Sequence, residues 1–276
     1  MNLIIQGAAP SERDLQQLAH LSGARLTERL GAGAWRLSGA APRAEIAEYC
    51  ERSRLDFGFV PEERKLADMR LLAIDMDSTL IAIECIDEVA DLAGVKTEVS
   101  AITAAAMAGE LDYAQSLRLR VGLLRGLEQA ALARVYAERL QLSPGAEAML
   151  AAMQGAGIKI LLVSGGFSFF TERLQTRLGL DYSSSNTLEI EAGRLTGRVL
   201  GDIVDAAGKA AKLRALREEL GIAKAAVIAI GDGANDLAMM AEAGVSIAYR
   251  AKPVVRNKAD YALDHAGLDG VLNLFA

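Results

Sequence analysis

Apolar positions along the chain follow two different patterns, and the change between them lies near residue 65. Over the first 60 residues, short apolar runs alternate with amphipathic segments in the order strand, helix, strand, strand, helix, strand. That order predicts a small α+β domain of the ferredoxin-like kind. The charged segment 61–65 is typical of a linker, so we place this domain at residues 1–65. Its elements are predicted at 3–6, 11–21, 25–29, 35–37, 44–54 and 55–60.

Residues 66–276 alternate buried strands with helices and are predicted to form a second domain. The strands are nearly continuous apolar runs, which is typical of a parallel sheet covered by helices on both faces. The expected fold class is therefore α/β, with a Rossmann-like parallel sheet as the core. The predicted strands lie at 71–75, 158–163, 226–230 and 244–248.

Two insertions interrupt this alternation. A helical stretch rich in Ala and Leu, at about 86–142, follows the first strand and is predicted to cover the strand ends as a cap. Residues 186–199 alternate apolar and acidic side chains and predict a β-hairpin.

Composition and charge narrow the class of protein. The chain has 276 residues, 51% of them hydrophobic, and contains no apolar run of membrane-spanning length. Its formal net charge of −6 argues against nucleic acid or an anionic membrane as a partner. The N-terminal apolar run is short and has no basic residue before it, so we expect no signal peptide and a cytoplasmic location. A small anionic substrate remains compatible, because a bound cation reverses the field locally.

Phosphate chemistry that depends on cysteine or histidine does not fit the sequence. Neither Cys50 nor Cys85 is followed six positions later by the arginine that a thiol phosphatase loop needs. The two histidines, His20 and His265, are too few for a His-rich metal cluster or a phosphohistidine mechanism.

Acidic residues follow two of the predicted strands directly. Asp75 and Asp77 end the first strand, and Asp232 and Asp236 follow the strand at 226–230. The carboxyl ends of parallel strands open into the crevice where α/β sheets bind ligands. Crowded carboxylates repel each other, and a divalent cation between them is the usual solution. The pattern predicts Mg²⁺-dependent phosphoryl chemistry.

Two further elements add positive or hydrogen-bonding character to that crevice. Ser164, Gly165 and Gly166 follow the strand at 158–163 and offer a hydroxyl and open backbone N–H groups as an anion cradle. Lys209 stands at the start of a helical segment. Each element alone has an ordinary structural explanation, but together and in this order they predict one phosphoryl-transfer site.

These four elements carry a family resemblance. Residues 71–276 resemble the haloacid dehalogenase superfamily of aspartate-nucleophile phosphatases, whose motifs match 75–79, 164–166, 209 and 231–236 in order. Within it, residues 84–88, 107–120, 164–167 and 251–253 closely resemble the enzymes that act on O-phosphoserine. The resemblance implies Mg²⁺-dependent hydrolysis of O-phospho-L-serine to serine and phosphate, the last step of serine biosynthesis.

The resemblance also implies a role for each residue of the catalytic set. Asp75 is expected to attack phosphorus and form an aspartyl-phosphate, and Asp77 to protonate the leaving oxygen. Asp75, Asp232 and the backbone carbonyl of Asp77 are expected to hold Mg²⁺. Lys209 and Ser164 would balance the charge of the phosphoryl oxygens. Asp236 has two assignments that stay open: it orients Lys209, or it orients a metal-bound water.

The substrate contacts are likewise implied by the resemblance. Glu84 would pair with the serine ammonium, and Arg120 would bind the carboxylate. Arg120 borders an apolar helical stripe, so the residues alone equally favour a plain arginine on the cap surface. Gly165 and Asn235 would contact substrate or phosphate. Met107 and Phe167 are expected as apolar walls.

Two other functions stay open at this point. A phosphotransferase would pass the phosphoryl group from Asp75 to an alcohol such as homoserine, using the same residues. A non-catalytic amino-acid sensor would use residues 1–60 as its ligand domain. The element order of 1–65 also resembles ACT-like regulatory domains, which implies an effector or homodimer role for this domain.

Overall fold

The small N-terminal domain forms as its element order predicts. The computed structural model of the chain describes residues 1–7, 9–31 and 33–275. Within them, four strands form one antiparallel sheet in the order β2-β3-β1-β4, and two helices cover one face of it. Its elements are β1 (Asn2–Gly7), α1 (Glu12–Ser22), β2 (Leu26–Gly31), β3 (Ala34–Ser38), α2 (Ala44–Ser53) and β4 (Leu55–Val60).

Local chemistry explains the bounds of α1. Ser11 caps the helix, because its hydroxyl accepts the Asp14 backbone N–H at 3.2 Å and the Asp14 carboxylate accepts the Ser11 N–H at 2.8 Å. Gly23 ends the helix with a φ of 68°, a left-handed conformation that glycine adopts without strain. Leu15 and Leu18 lie on its buried face.

The second sheet is the predicted α/β core. Within the described residues it has seven strands in the order β11-β10-β9-β5-β6-β7-β8. Its neighbours pair in parallel except for β7 and β8, which form an antiparallel hairpin. The strands are β5 (Leu71–Ile74), β6 (Lys159–Phe167), β7 (Tyr182–Glu191), β8 (Arg194–Leu200), β9 (Val227–Gly231), β10 (Val245–Tyr249) and β11 (Tyr261–Leu263).

Helices cover both faces of this sheet, which is why its middle strand, β5, is apolar at every position. In β5, Leu72 and Ile74 belong to one core cluster, and Leu71 and Ala73 belong to another on the opposite face. The helices after the cap are α7 (Ala146–Gly155), α8 (Ser168–Leu178), α9 (Ala206–Glu219), α10 (Leu237–Met240) and α11 (Pro253–Arg256). Among the described residues, no helix combines the length and the apolar character needed to cross a membrane.

The predicted cap lies between β5 and β6. Its helices are α3 (Cys85–Ala93), α4 (Lys96–Met107), α5 (Tyr113–Leu123) and α6 (Gln129–Arg134). The β7–β8 hairpin is tied to it, because the N–H groups of Gly126 and Gln129 donate to the carbonyls of Leu195 and Gly193 at 2.8 and 2.9 Å. The antiparallel hairpin runs from Thr187 paired with Leu200 to Glu191 paired with Arg194, close to the predicted 186–199. Strand β7 itself begins earlier, at Tyr182, because its first residues pair in parallel with β6.

The small domain packs directly on the end of the large sheet. The carboxylate of Asp56, on β4, accepts hydrogen bonds of 2.8–3.2 Å from the backbone N–H groups of residues 264–266, which follow β11. Ile4 and Val60 belong to the same buried core cluster as the main sheet. The face of the small sheet opposite α1 and α2 is therefore occupied by the large domain.

Candidate active site

Asp75 and Asp232 meet because their strands are neighbours. Strand β5 pairs with β9 in register, with Ile74 opposite Ile230, so the segments that follow them leave the sheet at the same edge. The Asp75 N–H continues the pairing, donating to the Ile230 carbonyl at 3.0 Å. Thr79 then joins the two loops, since its hydroxyl donates to Asp232 Oδ1 at 3.2 Å.

The Asp77 side chain is held from two directions. Its Oδ1 accepts the N–H of Cys85 at 2.8 Å, and its Oδ2 accepts the Ser164 hydroxyl at 3.3 Å. Between Asp77 and Glu84 the chain makes a sharp turn, in which Ser78 adopts a φ of 57°. The Ser78 hydroxyl donates to Glu84 Oε1 at 2.7 Å, which orients that carboxylate.

Lys209 forms a buried ion cluster with two carboxylates. Its Nζ lies 2.6 Å from Asp75 Oδ1 and 2.8 Å from Asp236 Oδ1. Asp236 Oδ2 accepts the N–H groups of Asp232 and Gly233 at 3.2 and 3.0 Å. Asp236 thus contacts Lys209, in agreement with the first of its two assignments.

Glycine is required at 166, where the loop passes close to Asp77. A Cβ there would lie 2.6 Å from Asp77 Oδ2. The Gly166 N–H donates to the Ser164 hydroxyl oxygen at 2.8 Å. Asn186, which the sequence analysis missed, donates from Nδ2 to the Gly165 carbonyl at 2.7 Å. Nothing in the sequence around Asn186 indicates this contact, because its partner lies 21 positions away.

The predicted residues surround one cavity of about 600 Å³ between the cap and the strand ends. Arg120 faces it from α5, where its Nε donates to the Ser116 carbonyl at 3.3 Å. Tyr113 and Lys252 also line it, although the sequence analysis assigned neither of them a site role. The predicted residues that line the cavity are Asp75, Asp77, Glu84, Met107, Arg120, Ser164, Gly165, Phe167, Lys209, Asp232 and Asn235.

Burial and mutual repulsion shift the acid pKa values upward. Burial, and then the charge of Asp236, raise the pKa of Asp75 well above its usual value, although Lys209 opposes the shift. Burial likewise raises the pKa of Asp77, and burial together with Asp236 raises the pKa of Asp232 to about 6. Burial lowers the pKa of Lys209, but Asp75 and Asp236 raise it by more, so the lysine stays charged.

Glu84, which also lines the cavity, shows a similar pKa shift. Glu84 is partly open to solvent, but the surrounding protein still removes much of the water around its carboxylate. This desolvation, and then the charge of Asp77, raise the pKa of Glu84 to about 7. A neighbouring cation favours an ionised carboxylate, so a substrate ammonium would lower this pKa.

The donor set fits a divalent cation. Asp75, Asp232 and Asp236 each offer a carboxylate oxygen, and these oxygens lie within 4.8 Å of one another. Hard cations such as Mg²⁺ and Ca²⁺ prefer oxygen ligands of this kind. Both oxygens of Asp236 already accept hydrogen bonds, which leaves Asp75 and Asp232 as the more available ligands. Both carboxylate oxygens of Asp77 already accept hydrogen bonds, which agrees with the prediction that this residue would offer its backbone carbonyl instead.

Comparison with known proteins identifies the class. The family described as haloacid dehalogenase-like hydrolase matches residues 72–241, and a domain of unknown function matches residues 3–46. The chain belongs to the haloacid dehalogenase-like hydrolase family, which confirms the resemblance seen in its motifs, and hydrolases of this family generally use a divalent metal.

Its relatives include phosphoserine phosphatases. That of Albidiferax ferrireducens is 53% identical over 223 residues, covering 79% of this chain and 94% of that protein. Among solved structures, a HAD family hydrolase from Salmonella enterica serovar Typhi is 35% identical with a TM-score of 0.91, and the match covers 100% of this chain and 99% of that one. A substrate-bound phosphoserine phosphatase is 37% identical with a TM-score of 0.71, covering 75% of this chain and 99% of that one.

Proposed function

We propose that the protein is a phosphoserine phosphatase, which hydrolyses O-phospho-L-serine to L-serine and phosphate with Mg²⁺ as its cation. The observation that carries the proposal is the single cavity in which Asp75, Lys209 and Ser164 face Glu84 and Arg120. The first three suit a phosphoryl group, and the last two suit the ammonium and carboxylate of an amino acid. The relatives named above support the same substrate.

The first step is attack by an Asp75 carboxylate oxygen on phosphorus. The bond from phosphorus to the seryl oxygen breaks, and Asp77 gives its proton to that oxygen as serine leaves. Because burial raises the pKa of Asp77, this carboxyl holds a proton readily. In the second step a water attacks the aspartyl-phosphate, Asp77 takes its proton, and phosphate is released while Asp75 is regenerated.

Charge balance around the phosphoryl group comes from the loops beneath it. Lys209 is a fixed ammonium beside Asp75, and Ser164 supplies a hydroxyl close to Asp77. Mg²⁺ held by Asp75, Asp232 and the Asp77 backbone carbonyl would neutralise the approaching phosphate and polarise its oxygens.

Two side chains that line the cavity are assigned to recognition of the amino-acid part of the substrate. We place the substrate ammonium on Glu84 and the carboxylate on Arg120, where a bidentate contact gives both strength and orientation. Phe167 and Met107 line the apolar part of the same cavity. Gly165 and Asn235 are assigned to the phosphate side. A cytoplasmic location and homodimer formation through the small domain stay predictions from the sequence.

Phosphate release from a set of monoesters tests this function. With Mg²⁺, O-phospho-L-serine should be hydrolysed much faster than phosphoethanolamine, which lacks the carboxylate, or O-phospho-3-hydroxypropionate, which lacks the amine. Chelation with EDTA should abolish the reaction. Adding homoserine separates the phosphotransferase, since formation of phosphohomoserine at the expense of free phosphate would contradict the hydrolase. Serine binding without turnover would favour the sensor.

A further inference from the structure

The hydroxyl of Tyr113 joins the cap to the phosphate-binding loop. Tyr113 is the first residue of α5, and its hydroxyl donates to the Gly165 carbonyl oxygen at 2.8 Å. The same oxygen accepts Nδ2 of Asn186 at 2.7 Å. A carbonyl oxygen has two lone pairs, so one donor from the cap and one from the core satisfy it completely.

Asn186 is the fixed member of this pair. It is 1% exposed, and its Oδ1 accepts the N–H of Val204 at 2.8 Å. Its amide is therefore held by the core whether or not the cap is closed. Tyr113 lies on the cap, so its hydrogen bond exists only while α5 sits against the loop.

A chain of hydrogen bonds runs from this carbonyl to the proposed acid. The Gly165 carbonyl and the Gly166 N–H belong to one planar peptide and point in opposite directions. While Tyr113 and Asn186 hold the oxygen, the N–H donates to the Ser164 hydroxyl oxygen at 2.8 Å. Before a phosphoryl group binds, the Ser164 hydroxyl proton is then directed to Asp77 Oδ2, at 3.3 Å.

The hydroxyl, rather than the ring, makes this connection. A Cβ at position 165 would overlap the Tyr113 hydroxyl, so the close approach depends on a glycine there. Burial raises the pKa of Tyr113 to about 12, which keeps the hydroxyl protonated as a donor near neutral pH. A phenylalanine would fill the same space but leave the carbonyl with one donor.

We propose that Tyr113 is a positioning residue that, on closure of the cap, fixes the peptide between residues 165 and 166 and so aligns Ser164 with Asp77. Cap closure and alignment of the acid are thereby coupled through one hydrogen bond. The proposal rests on the proposed phosphatase function, because the chain of hydrogen bonds ends on the residue assigned as the acid.

A double-mutant cycle between Tyr113→Phe and Ser164→Ala tests this coupling, with the rate of a single turnover on O-phospho-L-serine as the readout. Tyr113→Phe alone should lower the rate about fivefold with little change in KM, the effect of losing one hydrogen bond of about 1 kcal/mol. In the Ser164→Ala background the same change should have almost no effect. Equal losses in both backgrounds, or no loss in either, would overturn the proposal.

The matched control is Tyr136→Phe. It also removes a tyrosine hydroxyl from the cap, but the Tyr136 hydroxyl makes no hydrogen bond among the described residues. Its rate should equal that of the native protein, and a loss as large as that of Tyr113→Phe would contradict the assignment.

Amide exchange gives a readout without turnover: the Gly166 N–H should exchange faster in Tyr113→Phe, and unchanged exchange argues against the coupling. Native protein that is inactive on O-phospho-L-serine refutes the proposed function instead.

Discussion

Negative charge dominates the cavity at the scale of single residues. Asp75 and Asp236 contact the ammonium of Lys209, and an oxygen of Asp232 lies close to theirs. Burial, and then the charge of Asp236, raise the pKa of both Asp75 and Asp232. A bound cation would favour the ionised carboxylates and so oppose both the burial and the repulsion that raise the pKa of Asp75. The crowded carboxylates therefore favour the binding of a cation, and a bound cation in turn favours the binding of a phosphate group.

Glu84 predicts how substrate selection depends on pH. Only its ionised form pairs with an ammonium, and its pKa in the cation-free protein is about 7, a value that a bound cation lowers. We therefore expect the ratio of kcat/KM for O-phospho-L-serine to that for O-phospho-3-hydroxypropionate to fall as the pH drops, with a midpoint no higher than about 7. The ratio cancels titrations that the two substrates share.

Glu84→Gln provides the comparison for that ratio. The amide cannot ionise, so its ratio should be low and flat across the same pH range. A pH-independent ratio in the native protein, or an unchanged ratio in Glu84→Gln, would show that the ammonium binds elsewhere.

At the scale of elements, the first turn of α9 places Lys209 beside the carboxyl ends of the strands. Asp205 caps this helix, its carboxylate accepting the Gly208 N–H at 2.8 Å, and Lys209 lies in the first turn. The cap fixes the direction in which the first turn leaves the loop. The position of Lys209 therefore depends on a residue that touches neither substrate nor metal.

Asp205→Ala should consequently weaken both stability and catalysis. Loss of an N-cap lowers the free energy of unfolding by about 1 kcal/mol, and a looser first turn should reduce kcat several-fold. Asp205→Asn should restore both, because asparagine caps equally well. Asp202→Ala, at an exposed position nearby, is the control and should change neither. Full activity in Asp205→Ala, measured beside urea unfolding, would mean that Lys209 is held by its ion pairs alone.

Most elements were predictable because each has a strong local pattern. The strand before Asp75 is recognisable from its continuous apolar run, and the helix after Ser11 from its capping residue; both signals lie within a few residues. The strand Tyr261–Leu263 was missed, since three residues are too short to show a period. The contacts of Asn186 and Tyr113 with Gly165 join residues 21 and 52 positions apart, and no local signal reports such a meeting.

The positions of the residues proposed as catalytic were predictable for a different reason. Asp75, Asp232 and Ser164 each follow a buried strand, and parallel strands bring their carboxyl ends to one edge. Their convergence follows from topology, whereas the contact of Asp236 with Lys209 joins residues 27 positions apart and could not be read from the sequence.

At the scale of the whole molecule, the small domain is fastened to the large one through a buried carboxylate. Asp56 is 5% exposed and is the acceptor for three consecutive backbone N–H groups, those of residues 264–266. Deletion of residues 1–65 would therefore uncover these N–H donors and the apolar side chains of the large domain that pack with Ile4 and Val60.

Asp56→Ala should therefore destabilise the full chain without altering catalysis. It leaves buried donors unpaired, so the free energy of unfolding should fall by about 2–4 kcal/mol. Turnover of folded protein should be unchanged, because the cavity lies at the carboxyl ends of other strands. Urea unfolding beside Glu63→Ala, an exposed acid in the linker, measures the effect. Equal stability of the two variants would show that the junction is held by apolar contacts alone.

Acid quenching of the enzyme during turnover of O-phospho-L-serine with Mg²⁺ tests the central claim most directly. Mass spectrometry of the digested protein should find one phosphoryl group on the peptide that contains Asp75. Asp75→Asn should fold normally, carry no such group and release no phosphate. A phosphoryl group on any other residue, or hydrolysis by Asp75→Asn at a near-native rate, would contradict the account.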